Sequence, residues 1–224
     1  MPARPAISLS PVVEDYIKQI YKLTQHGERA TTKALADRLG VGRGTVSGML
    51  KHLAQRRLVE HQRYHGARLT AGGRKLAMQM IRRHRLIELF LVRFLGLGWD
   101  EVDHQAERLE HAVSDRLIER MDAVLDHPDV DPHGAPIPDA AGQVEQQDFA
   151  PLSKLAEGQS CTVRRVSDRD PAFLQYLRQL GVRLNGRLKI MSIEPFGTMQ
   201  VRIGRRKVHL AHEAADRIHV THNA

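Results

Sequence analysis

Two short groups of residues carry the chemistry open to this chain: His84-x-x-x-Glu88 and Glu107-x-x-Glu110-His111. At 3.6 residues per turn, side chains three and four positions apart share a helix face. Glu107 and His111 then differ by roughly 40° around the axis, and Glu110 stands about 60° to the other side. Three acceptors converging on one small volume repel, or compete for protons, unless a cation joins them. Oxygen and imidazole donors suit a hard-to-borderline divalent ion such as manganese or iron. The plain alternative is a solvated flank, with His84 one member of the basic run Arg82, Arg83, Arg85 and Glu88 paired to an arginine. A metal-dependent hydrolase would use the same donors, but no nucleophile motif or phosphate-cradling glycine loop accompanies them.

The elements that must hold these residues read as mainly α with small β parts. Val13, Ile17, Ile20, Tyr21 and Leu23 recur near helical spacing after Ser10 and Pro11. A second helix, Lys33 to Leu39, follows Thr31 or Thr32 as cap and stops at Gly40. A third starts after Gly42 and carries Val46, Met49, Leu50 and Leu53. Short helices around a glycine turn form a helix-turn-helix. Leu58–His61 and Ala67–Thr70 read as two strands around a polar tip, completing a winged helix-turn-helix over residues 1–73.

Residues 74–138 read as a helical dimerisation and metal-binding domain. One helix runs from Ala71 to Leu95 and another from Asp100 to about Leu125, the latter with Val102, Ala106, Leu109, Val113 and Leu117 as its apolar stripe. Pro128, Pro132, Gly134, Pro136 and Pro138 end it, and polar residues 139–150 have linker composition. Residues 151–224 read as an SH3-like β-barrel, with strands at Cys161–Val166, Leu188–Ile193, Met199–Ile203 and Lys207–Leu210 and a helix at Pro171–Leu180.

Thirty-four basic against 26 acidic residues give a net charge of +8, which favours an anionic partner such as nucleic acid. The single cysteine, Cys161, excludes an internal disulfide and a multi-thiolate zinc site and reads as a small core residue. No apolar run approaches the ~20 residues that span a bilayer, and the first residues lack a signal-peptide pattern. The expected location is the cytoplasm. The second helix of a helix-turn-helix enters the major groove with its first turns. Here they present Arg43, Thr45, Ser47 and Lys51, and the wing adds Arg63 and Arg68. Lysine, arginine and hydroxyl donors hold phosphates, and Arg43 can also read guanine.

Several linked motifs resemble the diphtheria-toxin-repressor family of metal-dependent transcriptional regulators. They are Val13-Glu14-Asp15-Tyr16-Ile17, Arg83-His84-Arg85-Leu86 with Glu88, Ala106 to His111, Ser114-Asp115, and Asp131-Pro132-His133-Gly134 with Pro136-Ile137-Pro138. The C-terminal segment resembles that family's ferrous-transport-A-type domain. The resemblance implies a homodimer that binds a palindromic operator of metal-homeostasis genes, as a repressor, when its metal is present. It implies a primary site of Asp15, Glu107, Glu110 and His111. It implies an ancillary site of His84, Glu88 and Asp103, with His104 as the alternative to Asp103 and Asp168 or Asp170 as the barrel's carboxylate. The iron-responsive branch places methionine at Asp15 and cysteine at Glu107. The acidic residues here resemble the manganese-responsive branch, and a donor set without sulfur favours Mn2+ over Fe2+. Lys18 occupies the position of a further glutamate in one member of the manganese type, which argues against a binuclear site of that kind.

Overall fold

The structure, a computed structural model, describes residues 10–25, 27–62, 64–145, 147–195 and 197–223. The chain divides into two units, one ending at Arg83 and joined by Pro138–Gln143, the other made of His84–Ile137 and the residues from Val144 onward.

In the first unit, α1 (Pro11–Thr24) buries Val13, Tyr16, Ile17 and Ile20, a continuous helical face. Helix α2 (Thr32–Leu39) starts at Thr31, whose hydroxyl accepts from the Ala34 N–H at 3.1 Å, and ends at Gly40 with φ of 65°. Helix α3 (Arg43–Gln55) turns Val46, Leu50 and Leu53 into the same core. Strands β1 (Val59–Gln62) and β2 (Gly66–Leu69) pair antiparallel, with Gln62 opposite Gly66. Gly66 has φ of +88°, and a Cβ there would lie 2.5 Å from the Ala30 carbonyl oxygen. No side chain fits, because Ala30 and Ala67 exchange both backbone hydrogen bonds at 2.9 Å. The expected winged helix-turn-helix is present, its strands within a residue of the expected limits.

Helix α4 (Ala71–Leu95) matches its expected span and passes from the first unit into the second between Arg83 and His84. Just before the expected linker, Arg82 Nη1 donates to the Pro138 carbonyl at 2.8 Å, and at its start Asp139 Oδ1 accepts from the Gln143 N–H at 2.7 Å.

In the second unit, the helix expected from Asp100 to Leu125 is two helices, α5 (Val102–Leu109) and α6 (Asp115–Val124). Ser114 causes the break: its backbone is extended and its hydroxyl accepts from the Leu117 N–H, so it restarts the chain as an N-cap. The apolar period runs through the break and conceals it. Val102 and Ala106 of the expected stripe are buried with Leu86, Ile87, Ile118 and Leu125. Leu109 and Leu117 stay 38% and 46% exposed.

The C-terminal sheet contains β3 (Ala150–Pro151), β4 (Ser160–Val166), β5 (Arg187–Glu194), β6 (Thr198–Ile203), β7 (Arg206–Ala211) and β8 (Ile218–Asn223). All pairs are antiparallel, in the order β3-β8-β4-β5-β6-β7. A closed barrel was expected, but the sheet is open, with β3 and β7 as edges. Two-residue β3 contains Pro151, which has no N–H to offer a neighbour, so closure onto β7 finds too little backbone. Helix α7 (Pro171–Leu180) begins as expected at a proline, capped by Asp170, and ends at Gly181 with φ of 84°; α8 (His212–Asp216) is short. Cys161 is fully buried among Val163, Ile190, Leu210 and Ile218, and burial pushes its thiol up to about 11. It is a core residue.

Within this unit the helical part and the sheet meet backbone to backbone. Gly134 has φ of +85°, and a Cβ on it would lie 2.0 Å from the Arg164 carbonyl oxygen. One residue earlier, the His133 carbonyl accepts from the Val166 N–H at 2.9 Å.

Candidate metal centre

His84 is the point around which the expected ligands of the second unit gather. Its Nδ1 lies 2.6 Å from Glu110 Oε2 and 3.7 Å from Glu107 Oε2. Its Nε2 lies 3.3 Å from Asp103 Oδ1 and 3.4 Å from Glu88 Oε1. His111 approaches from the far side, its Nε2 3.6 Å from Glu110 Oε1. Helix spacing explains the pattern: His84 and Glu88 are four apart on α4, and Asp103 and Glu107 are four apart on α5, with Glu110 at its C-cap. His84, Glu88 and Glu110 are buried, whereas Asp103 is exposed. His84, Glu88 and Asp103 offer donor atoms within 4.8 Å of one another, and so do His84, Glu107 and Glu110. The expectation that His84 serves a set separate from Glu107 and Glu110 is therefore modified, because one imidazole touches both. Asp103, not the exposed His104, faces His84.

Burial alone would lower the His84 pKa, but hydrogen bonds to Asp103, Glu110 and Glu88 outweigh it and hold the group well above 6.5. The imidazolium thus supplies the cation that converging carboxylates demand. The donors fit a divalent ion on the same ground: oxygen and nitrogen atoms, several of them buried, already arranged about one positive charge. A metal held by His84 would need the unprotonated nitrogen, so its binding would expel the His84 proton. Below the raised pKa, apparent manganese affinity should climb by up to about tenfold per pH unit for each proton displaced. Calorimetric titration in buffers of different ionisation enthalpy checks this; heats that do not change with the buffer would contradict it.

A second group was missed as ligands. Glu88, Asp131 and His133 are all buried, with donor atoms within 4.8 Å of one another. His133 Nε2 donates to the Trp99 carbonyl at 2.7 Å, leaving the buried Nδ1 with no hydrogen-bond partner among the described residues. Fixing one imidazole nitrogen on a carbonyl is the common way to aim the other at a metal. Asp131 Oδ1 accepts from the N–H groups of His133 and Ala135 at 2.8 and 2.9 Å. Its Oδ2 lies 3.3 Å from Arg85 Nε without a hydrogen bond. Burial, then the Glu88 charge, pushes the Asp131 carboxyl up to about 6. Burial would lower the His133 pKa, but the charges of Asp131 and Glu88, with the Trp99 carbonyl and Asp168, raise it. Of the two barrel carboxylates considered, Asp170 caps α7 and faces Arg217 at 3.4 Å, whereas the charge of Asp168 acts on His133. The sequence signal was Asp131-x-His133 inside a proline- and glycine-rich turn, a place where polar residues are usually solvated.

Asp15, on α1 of the first unit, is half-buried, and Lys18 one turn later is buried. On α3, Arg43, Thr45 and Lys51 are exposed opposite the buried Val46, Leu50 and Leu53, and Ser47 is half-buried. Arg68 is exposed at the wing and donates to the Gly27 carbonyl. Arg63 lies outside the described residues. Tyr64 at the wing tip is 88% exposed and was not anticipated. Among the described residues, no helix is long and apolar enough to cross a membrane.

Residues 8–67 match the iron dependent repressor N-terminal DNA binding domain, residues 70–139 the iron dependent repressor metal binding and dimerisation domain, and residues 150–222 the FeoA domain. The iron-dependent repressor IdeR of Mycobacterium tuberculosis is 31% identical over 95% of this chain and 97% of its own length. A solved manganese-dependent transcriptional repressor in complex with manganese is 42% identical, with a TM-score of 0.86 over 94% of this chain and all of that one. ScaR with bound Cd2+ is 33% identical, with a TM-score of 0.76 over 93% and 98% of the two chains.

Proposed function

Because this chain belongs to the iron-dependent repressor family, whose members are metal-dependent, DNA-binding transcriptional repressors, we propose that it is a manganese-activated repressor of metal-homeostasis genes. It binds a palindromic operator as a homodimer. The observation that carries manganese over iron is the donor chemistry: carboxylates and imidazoles, with no sulfur, gathered around His84.

Glu107, Glu110 and His111 form the primary set with Asp15, which joins them on the strength of its place in the sequence pattern. Glu88, His133, Asp131 and Asp168 form the ancillary set, with His84 and Asp103 between the two. Bound manganese supplies a divalent charge where the side chains otherwise rely on protons. Glu110, on both His84 and His111, couples the sets, and unprotonated His84 releases Glu107 and Asp103 from their hold on its charge. Asp15 ties this state to the helix-turn-helix through α1, whose Val13, Ile17 and Ile20 share a core with Val46 and Leu50 of α3. Arg43, Thr45, Ser47 and Lys51 then contact the major groove and its phosphates, with Arg63 and Arg68 at the wing. The metal selects the binding-competent state of an existing fold. Exposed Phe94, Leu95, Leu109, Leu117 and Val124, on consecutive helices, support the dimer, because apolar surface of this extent calls for a cover.

Operator binding by the purified protein, titrated separately with manganous and ferrous ion at fixed salt, tests the reading. Manganese should tighten binding roughly 5- to 150-fold. Equal or stronger activation by ferrous ion at lower free concentration would replace manganese with iron.

A further inference from the structure

The C-terminal sheet carries a block of charge that metal sensing does not use. Between Val182 and Ala211 stand Arg183, Arg187, Lys189, Arg202, Arg205, Arg206 and Lys207, against one carboxylate, Glu194. Glu194 lies near His209, 3.5 Å away. None of the seven cations makes an ion pair among the described residues.

Their register is the telling part. Lys189 pairs directly with Arg202, and Arg202 with Lys207, so three cations form a row across β5, β6 and β7 on the face turned from the core. Their sequence neighbours Leu188, Ile190, Val201 and Val208 point the other way and are buried. Like charges directly opposite each other on a sheet destabilise it, and the carboxylate that the register puts on the same face, Glu194 opposite Thr198, lies against His209, 3.5 Å away. At one end of the sheet the charge continues around the Gly204–Arg205 turn into an open groove of about 740 Å³, whose walls include Arg183, Arg187 and Arg206.

We propose that this face is a second nucleic-acid contact, one that holds duplex DNA by its phosphates without reading sequence. A row of cations at strand spacing, with arginine forks at its end, matches a polyanion of regular charge, and arginine engages phosphate oxygens in pairs. Among the described residues of β5, β6 and β7 there is no phenylalanine, tyrosine or tryptophan, so these strands offer no stacking platform of the kind that unpaired bases require. The contact adds to operator binding where DNA extends past the operator, and so rests on the repressor reading above.

The test uses the full chain with manganese and two duplexes, one holding the operator alone and one extended by about two helical turns, roughly 21 base pairs, on each side. The probe is the dependence of the binding constant on salt, which steepens by about 0.9 in log–log slope for each phosphate neutralised. Lys189→Gln/Arg202→Gln/Lys207→Gln should flatten the slope by about 2–3 per protomer, about 5 for the dimer, on the long duplex and leave the short one unchanged. The variant should melt no lower than the parent, since it relieves repulsion, so loss of fold does not imitate the effect. Equal slopes for parent and variant on the long duplex overturn the proposal. So does binding of polyglutamate by the parent that is tighter than binding of non-operator duplex at equal charge and is lost in the variant; the face would then belong to an acidic protein. Loss of manganese-dependent binding even on the short duplex, in the parent, would instead overturn the repressor reading.

Discussion

Replacing Glu110 by glutamine should abolish manganese activation of operator binding while leaving a folded dimer. Glu110 is buried, and its carboxylate touches both imidazoles, His84 at 2.6 Å and His111 at 3.6 Å. Glutamine keeps the volume and one acceptor oxygen but removes the charge. The charge-assisted hydrogen bond to His84 is worth about 1.5–3 kcal/mol, and without it the His84 pKa falls, since that bond helps hold it up. The metal loses a buried anionic donor at the same stroke. An activation of roughly 5- to 150-fold in the parent should shrink to none in Glu110→Gln at manganese concentrations that saturate the parent. Binding assays with and without metal decide it, beside a thermal melt that confirms folding. Parent-like activation in the variant would remove Glu110, and with it the coupling of the two ligand sets, from the switch.

The second large effect is mechanical. Gly134→Ala places a methyl group where the Arg164 carbonyl oxygen already lies, 2.0 Å from the ideal Cβ position, on a backbone with φ of +85°. The left-handed conformation costs a non-glycine residue about 1–2 kcal/mol, and forced repacking about 1–3 kcal/mol more. A loss of roughly 2–5 kcal/mol lowers the melting midpoint by about 10 °C for a chain of this size. Gly158→Ala is the control: its φ is +80°, but nothing lies within 4 Å of the added Cβ, so it reports the backbone cost alone. Gly134→Ala should also weaken metal binding at Glu88, Asp131 and His133, because the same turn holds Asp131 and His133 in place. A midpoint within about 2 °C of the control's would show that the turn lifts away from β4 without cost.

How much of this was legible in advance depends on what set each feature. Helices α1 to α4 follow from apolar period and local punctuation, so Pro11, Thr31 and Gly40 place their ends closely. The break at Ser114 was hidden, because the stripe from Val102 to Leu117 keeps its period across it and a single hydroxyl decides the matter. Spacing put His84 and Glu88 on one face of α4, whereas α5 ends at Leu109, so Glu110 is its C-cap and His111 lies in the turn beyond it. It could not show that His84 reaches from α4 to Glu110 on α5, because that distance is set by how two helices pack. Asp131 and His133 were read as marks of an irregular segment. Their burial comes from the approach of Gly134 to β4, a contact between residues some thirty positions apart that no local pattern announces. The open sheet has a similar origin: four of its strands were visible as apolar runs, while β3 and polar-rich β8 are defined by their partners.

The buried state of Cys161 bears on oxidation. With its thiol held up at about 11, almost none is thiolate at neutral pH, and the thiolate is the form that attacks peroxide. The proposed ligand sets contain no sulfur at all. An oxidant that would blind a cysteine-ligated sensor finds no such handle here, and metal release by sulfur chemistry is closed to this design. Operator binding measured before and after exposure to peroxide therefore reports on the metal's own redox state, with the ligands as fixed bystanders.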